Sequence, residues 1–188
     1  MILDQFSCKQ CTKTYIMDDL FLIIQIPMKQ QYLEEIYTAN KKLDDKFDII
    51  YADVKNLNDC NKIELMAELM ELANSTRVFK YRKKKPMDYE EAIYEYADWL
   101  AMLFYFFNIA DKKIELKSVD SDIDTVSLFL KLIDLYNEFI NKDADNLNEI
   151  LSWYVLLWQK IGFKEDDILN TTLDKIAKTT EYLNWLEQ

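Results

Sequence analysis

One glycine and two prolines in 188 residues constrain this chain more than any motif does. Tight hairpins need glycine or a similarly permissive residue at positive φ, and a β-rich fold needs many such turns. A chain almost without them reads as all-α. Leu, Lys, Glu and Met, strong helix formers, are abundant, and half of the residues are apolar. That apolar content argues against disorder, and a chain this long buries about two-thirds of its unfolded surface in a single core. The expected architecture is a helical bundle.

Charge narrows the function. Thirty-four Asp and Glu against 23 Lys and Arg give a net charge of −11, which repels the phosphate backbone of nucleic acid. Non-specific nucleic-acid binding is therefore not expected. No apolar run reaches the roughly 18 residues of a membrane span, and the N-terminus lacks the basic-then-apolar order of a signal peptide. Neither a membrane partner nor export is expected, and the chain reads as cytoplasmic. Cys8 and Cys11 form one C-x-x-C, with Cys60 apart; with no second pair and no histidine, a tetrahedral zinc site cannot be completed. Ordinary reduced thiols are the simpler reading.

After an apolar run, LFLIIQIPM (20–28), helical periodicity begins near Gln30 and continues through YLEEIYTANKKLDDKFDIIYA. Residues 1–30 read as an N-terminal extension and 31–188 as one all-α domain. A second helix is expected from Asn61 to Arg77 and a third from Asp88 to Ile109, separated by a basic segment and by Pro86, which disfavours helical geometry at Lys85. Further helices are expected over 121–141, 145–161 and 165–186, with Gly162 as a C-cap.

The second and third helices carry the acids. Glu64, Glu68 and Glu71 lie at i, i+4 and i+7, and Glu91, Glu95 and Asp98 do the same. Each set therefore forms one stripe of like charge, costing a few tenths of a kcal/mol per pair (about 0.2–0.5). Asn61 with Glu64, and Asp88 with Glu91, have capping-box spacing, which accounts for Glu64 and Glu91. Glu68, Glu71, Glu95 and Asp98 have no such explanation and stand among apolar neighbours. Taken singly, each pair also fits solvated surface charge. If the helices pack antiparallel, E-x-x-E faces E-x-x-D, and four carboxylates at a half-buried seam raise one another's pKa values unless divalent cations neutralise them. All-oxygen ligands without His or Cys suit Mg²⁺, with Mn²⁺ possible.

Between the two acidic helices, RVFKYRKKK (77–85) packs six cations into nine residues. Cations beside metal-binding acids suit a polyphosphate. Arg77 and Lys80, closest to Glu71, are expected to point inward, and Lys83 to Lys85 to be solvated.

ELMAELMELANSTRVFKYRKKKP followed by EEAIYEYADWLAMLF resembles the dimeric all-α dUTPase family, within the wider all-α NTP pyrophosphohydrolases that include MazG-like proteins. The E-x-x-E and E-x-x-D pairs, the Glu-Leu-Ala-Asn run and the Lys-Lys-Pro junction occur in the family's order, over residues 32–108. The resemblance implies an antiparallel four-helix metal-binding core, a homodimer, and cleavage of dUTP or dUDP to dUMP by water activated by Mg²⁺. It implies Glu68, Glu71, Glu95 and Asp98 as metal ligands, with Glu68 and Glu71 catalytic and Glu68 preferred as proton acceptor. With no histidine in the chain, the base is either a carboxylate or a metal-bound hydroxide. Asn74 and Lys80 fall at substrate-contact positions, and Arg77 joins them as a substrate-binding candidate through its expected inward placement. Asn40 and Asp44, in ANKKLDD (39–45), stand where the family carries a Gln-x-x-Leu-Asp/Asn element touching the nucleoside; an amide offers a uracil edge both donor and acceptor.

The C-terminal third departs from the pattern. Where the family has a Lys-Asn-x-x-Asn element followed by Arg, this chain reads TLDKIAKTTEY (172–182), keeping only Lys175. Ser75 and Arg82 replace a usual glutamate and tryptophan. Two alternatives stay open on these grounds: the same chemistry on other dNTPs such as dCTP, and a nucleotide-binding or interaction protein with impaired turnover. WLAMLFYFF (99–107), apolar nearly all round, fits burial in a core or at a dimer interface.

Overall fold

The computed structural model describes residues 11–80, 82, 85–142 and 144–186, with side chains from residue 29 onward save 142 and 144. Its described residues form six α-helices and no strand: α1 (Cys11–Ile50), α2 (Leu57–Ser75), α3 (Tyr89–Ile109), α4 (Thr125–Lys142), α5 (Leu147–Ile161) and α6 (Glu165–Leu186). The chain is thus an all-α bundle, as the scarcity of glycine and proline dictates. No described helix is long and apolar enough to cross a membrane. The side chains of Cys8 and Cys11 lie outside the described residues, and Cys60 is exposed and unpaired with any other cysteine.

Three helix starts differ from expectation, that of α4 lying at Thr125 rather than 121. α1 reaches back to Cys11, the first described residue, and continues through Pro27; a proline costs its helix one hydrogen bond, which does not end this one. α2 begins at Leu57, after Asn56 in the left-handed region at φ 63°, which gives no side-chain cap. Asn61 is therefore one turn inside α2 and buried, so it caps nothing, and Glu64 needs another explanation. The other end markers behave as their chemistry requires. Asp88 accepts from the Glu91 amide at 3.3 Å, and Gly162, at φ 87°, caps α5 by donating its amide to the Trp158 carbonyl at 3.0 Å.

α3 is the centre of the bundle. It packs on α1, α2, α5 and α6, with α2 the most extensive partner, and Ala92, Tyr96, Ala97, Trp99, Leu100, Leu103, Phe104, Phe106 and Phe107 are essentially fully buried. WLAMLFYFF, expected in a core or at a dimer interface, thus lies in the core of this chain's own bundle, with Ala101 and Met102 half-buried. Tyr96 and Tyr154 clamp α3 to α5: their rings stack at 4.1 Å, the Tyr96 hydroxyl donates to the Tyr154 carbonyl at 3.2 Å, and the Tyr154 hydroxyl donates to the Tyr96 carbonyl at 2.7 Å. Buried phenols need such partners. A fixed α3 fixes the side chains it aims at α2 and α6.

Candidate active site

α2 and α3 run antiparallel, so Glu64 and Asp98 interact at one end of the seam while Glu71 and Glu95 interact at the other. Glu68, Glu71 and Glu95 each bring a carboxylate oxygen to within 4.8 Å of the others. Buried leucines explain the placement: Leu65, Leu69 and Leu72 face the core, and the helical period puts Glu68 and Glu71 at the rim of that face. Glu71 is exposed, whereas Glu68 and Glu95 are half-buried, and for those two the neighbouring like charges and partial burial favour the protonated form. Burial first, then the Asp98, Glu71 and Glu95 carboxylates, push Glu68 up to about 7. Burial, then Asp98 and Glu71, raise Glu95.

Asp98 stands beside this trio and has its own cation. Lys175, buried on α6, pairs with Asp98, donates to the Tyr94 carbonyl at 3.3 Å, and sits 3.2 Å from the Tyr94 ring centroid. Burial raises Asp98 overall although Lys175 pulls it down; burial lowers Lys175, opposed by Asp98. One internal ammonium thus faces Asp98, Glu95 and Glu68 of the seam.

Next to the seam is a cavity of about 190 Å³ walled by Asn40, Leu43, Asp44 and Phe47 of α1, Asn61, Glu64 and Glu68 of α2, Asp98, Ala101, Met102 and Tyr105 of α3, and Thr179 of α6. The i, i+4 spacing that puts Asn40 and Asp44 on one face also lets the Asn40 Nδ2 donate to both Asp44 carboxylate oxygens, at 3.1 and 3.0 Å. The same nitrogen donates to the Ala101 carbonyl at 3.2 Å, and the Asn108 Nδ2 donates to Asp44 Oδ2. Burial pushes Asp44 up to about 7 in spite of these donors. Asn40 and Asp44, 1% and 8% exposed, are internal polar groups that the fold alone does not require.

The remaining expected residues sit apart from the cavity. Asn74 is exposed near the end of α2, Arg77 adopts φ 60° just beyond it, and the Lys80 ammonium donates to Asn74 Oδ1. Arg77 and Lys80 are half-buried but line no part of the cavity, and Lys85 is solvated as expected. The residues that sequence reasoning does not assign to the site are Asn61, Glu64, Tyr105 and Asn108. Glu64 is a cavity wall residue, raised by burial and by Asp98, rather than part of a cap. Tyr105 and Asn108 carry one sequence signal, as polar residues spaced i, i+3 in an otherwise apolar stretch.

An oxygen-only donor set fits a hard divalent cation. One observation favours it directly: Glu68 Oε2 is buried with no hydrogen-bond partner, and an unpartnered buried carboxylate oxygen is costly unless a cation meets it. A model of the family described as dUTPase matches residues 24–181, which includes the whole seam and every wall of the cavity. The chain belongs to the dUTPase family. No curated protein sequence matches it. Membership makes this dUTPase-family chain a dUTP diphosphatase-like hydrolase, acting on a small nucleotide at a phosphoanhydride bond, and its all-helical bundle agrees with the all-α branch of such enzymes.

Proposed function

We propose that this chain is a Mg²⁺-dependent pyrophosphohydrolase, with Mn²⁺ as substitute, that converts dUTP and dUDP to dUMP as a cytoplasmic homodimer. The observation that carries the reading is the convergence of Glu68, Glu71 and Glu95 within 4.8 Å beside a walled cavity of about 190 Å³. Glu68, Glu71 and Glu95 would hold the cation, with Asp98 completing the set from its place against Lys175. A divalent cation there supplies neutralising charge for the polyphosphate and a more acidic water.

The chain's own groups divide the remaining work. Glu68 would meet the cation through its buried, unpartnered Oε2 and take the proton of the attacking water on its other carboxylate oxygen. Asn40 and Asp44 receive the nucleoside, with the Phe47 ring and the Leu43 and Met102 side chains as apolar wall. Lys175 counters charge at Asp98, and Asn74, Arg77 and Lys80 form the cationic and amide group at the far end of α2 where phosphates extend. Exposed Ile63 and Met70 on α2, and Val126 and Leu130 on α4, supply apolar surface for a second copy.

The test is a screen of purified protein for monophosphate release from each deoxynucleoside triphosphate. The reading requires dUTP to be preferred; turnover of dCTP or dTTP at an equal rate would sink it. Of the rivals, dCTP has one observation in its favour, since Lys175 alone remains from the C-terminal element and it is committed to Asp98.

A further inference from the structure

A second cavity, of about 120 Å³, lies between α1, the segment that precedes α4, and α5, and shares no residue with the cavity beside the acidic seam. Leu116, Val119, Val155 and Leu156 give it apolar walls, and Lys117, Ser118 and Gln159, all exposed, give it a polar rim. The segment is tied down on both sides. The Gln30 Nε2 donates to the Ile114 carbonyl at 2.8 Å, and Asn148 Oδ1 accepts from the Glu115 amide at 2.8 Å. The Ser152 hydroxyl accepts from the Lys117 amide at 2.8 Å and donates to the Asn148 carbonyl at 2.6 Å, so its one donor is spent. Lys29 is different. It is 3% exposed, lines the cavity, and carries three donors. Among the described residues its ammonium has two partners: the Glu165 carboxylate at 3.9 Å, beyond hydrogen-bond reach, and the Trp158 ring, 5.3 Å from its centroid. Burial lowers its pKa, opposed by Glu165. A buried ammonium without hydrogen bonds is costly, and an acceptor entering the cavity would offset that cost.

We propose that this cavity binds a small aliphatic monocarboxylate, with its carboxylate on the Lys29 ammonium and its carbon chain between Leu116, Val119, Val155 and Leu156. One ammonium that already has Glu165 at 3.9 Å suits a single further negative charge; a phosphate dianion would add repulsion from Glu165 with no second buried cation to meet it. The apolar walls call for a carbon body rather than a bare ion. Lys117 at the rim adds a solvated cation that draws anions to the mouth, in a chain whose net charge of −11 otherwise repels them. Lys29 has no part in the nucleotide site described above, so this second site stands or falls apart from it.

The experiment is an amide-resolved NMR titration of the full chain, and of its Lys29→Met variant, with butyrate, with its neutral analogue butyramide and with inorganic phosphate, at neutral pH. A hydrogen bond to a charged group corresponds to roughly 10- to 100-fold in affinity. Butyrate should therefore shift the Lys117 and Ser152 amides and bind at least about tenfold more tightly than either butyramide or phosphate. Lys29→Met keeps the length of the side chain without its charge, and should bind butyrate no better than butyramide. The proposal is overturned if butyrate leaves those amides unshifted, if butyramide or phosphate binds as tightly as butyrate, or if Lys29→Met binds butyrate as the parent does. Should Lys29→Met not fold, Lys29→Gln takes its place with the same criterion. No arm of the titration uses a nucleotide, so its failure would leave the hydrolase reading intact.

Discussion

Replacing Asp44 by asparagine tests the polar cluster through stability alone. Asp44 is 8% exposed, and burial raises its carboxyl from an ordinary 3.8 to about 7. The folded chain thus binds a proton more tightly than the unfolded chain does. Between those two values the folded state holds more protons, so stability falls as pH rises through the window and is lowest above pH 7. A rise of about 3 units, at about 1.36 kcal/mol each, is a penalty of about 4 kcal/mol at pH 8. At pH 4.5 most of that penalty has not yet developed. The substituted amide carries no charge and escapes it, but it can accept from only one of its two amide neighbours, Asn40 and Asn108, at a cost of about 1 kcal/mol. Asp44→Asn should therefore gain about 3 kcal/mol at pH 8 relative to its effect at pH 4.5, read from urea or guanidinium midpoints with m-values checked for constancy. Its nucleotide affinity should fall at the same time. If the variant's stability relative to the parent does not change with pH, or is lower at pH 8 than at pH 4.5, Asp44 is not a buried acid with a raised pKa and the reasoning fails.

Gly162→Ala should cost about 1 kcal/mol, since the residue caps α5 at φ 87° and an added Cβ would meet nothing within 4 Å, leaving only backbone strain; thermal denaturation checks it, with turnover per folded molecule unchanged. Leu100→Ala, in a fully buried position on α3, should destabilise by about 2–5 kcal/mol in the same assay.

Fold class and the acidic pairs are legible in the sequence because both are properties of spacing. A near absence of glycine excludes hairpins however the chain packs, and an i, i+3 pair of glutamates stays on one helix face in any bundle. The capping signals Asp88 and Gly162 likewise act within a few residues and can be read directly. Asn61 cannot, because Asn followed three residues later by Glu suits a cap and a buried wall equally well; what decides is that α2 starts at Leu57. The start of α1 is hidden in the same way, because Pro27 suits a boundary, yet α1 passes through it. The pairing of Lys175 with Asp98 joins residues 77 apart in the chain, and the hold of Asn108 on Asp44 joins residues 64 apart. Only packing of α6 and α1 against α3 brings such pairs together. Local pattern therefore identifies which side chains stand out, and tertiary contact decides which of them meet.

The most direct test of the acidic seam is dUMP release from dUTP by chelator-stripped protein, with and without added Mg²⁺, set beside Mn²⁺ binding measured by electron paramagnetic resonance. Stripped protein should be inactive and regain turnover with Mg²⁺, whereas Glu71→Gln and Glu95→Gln should bind Mn²⁺ more weakly and stay at least about a hundredfold less active. Full turnover in excess chelator, or unchanged Mn²⁺ binding in both variants, would contradict a cation held between α2 and α3.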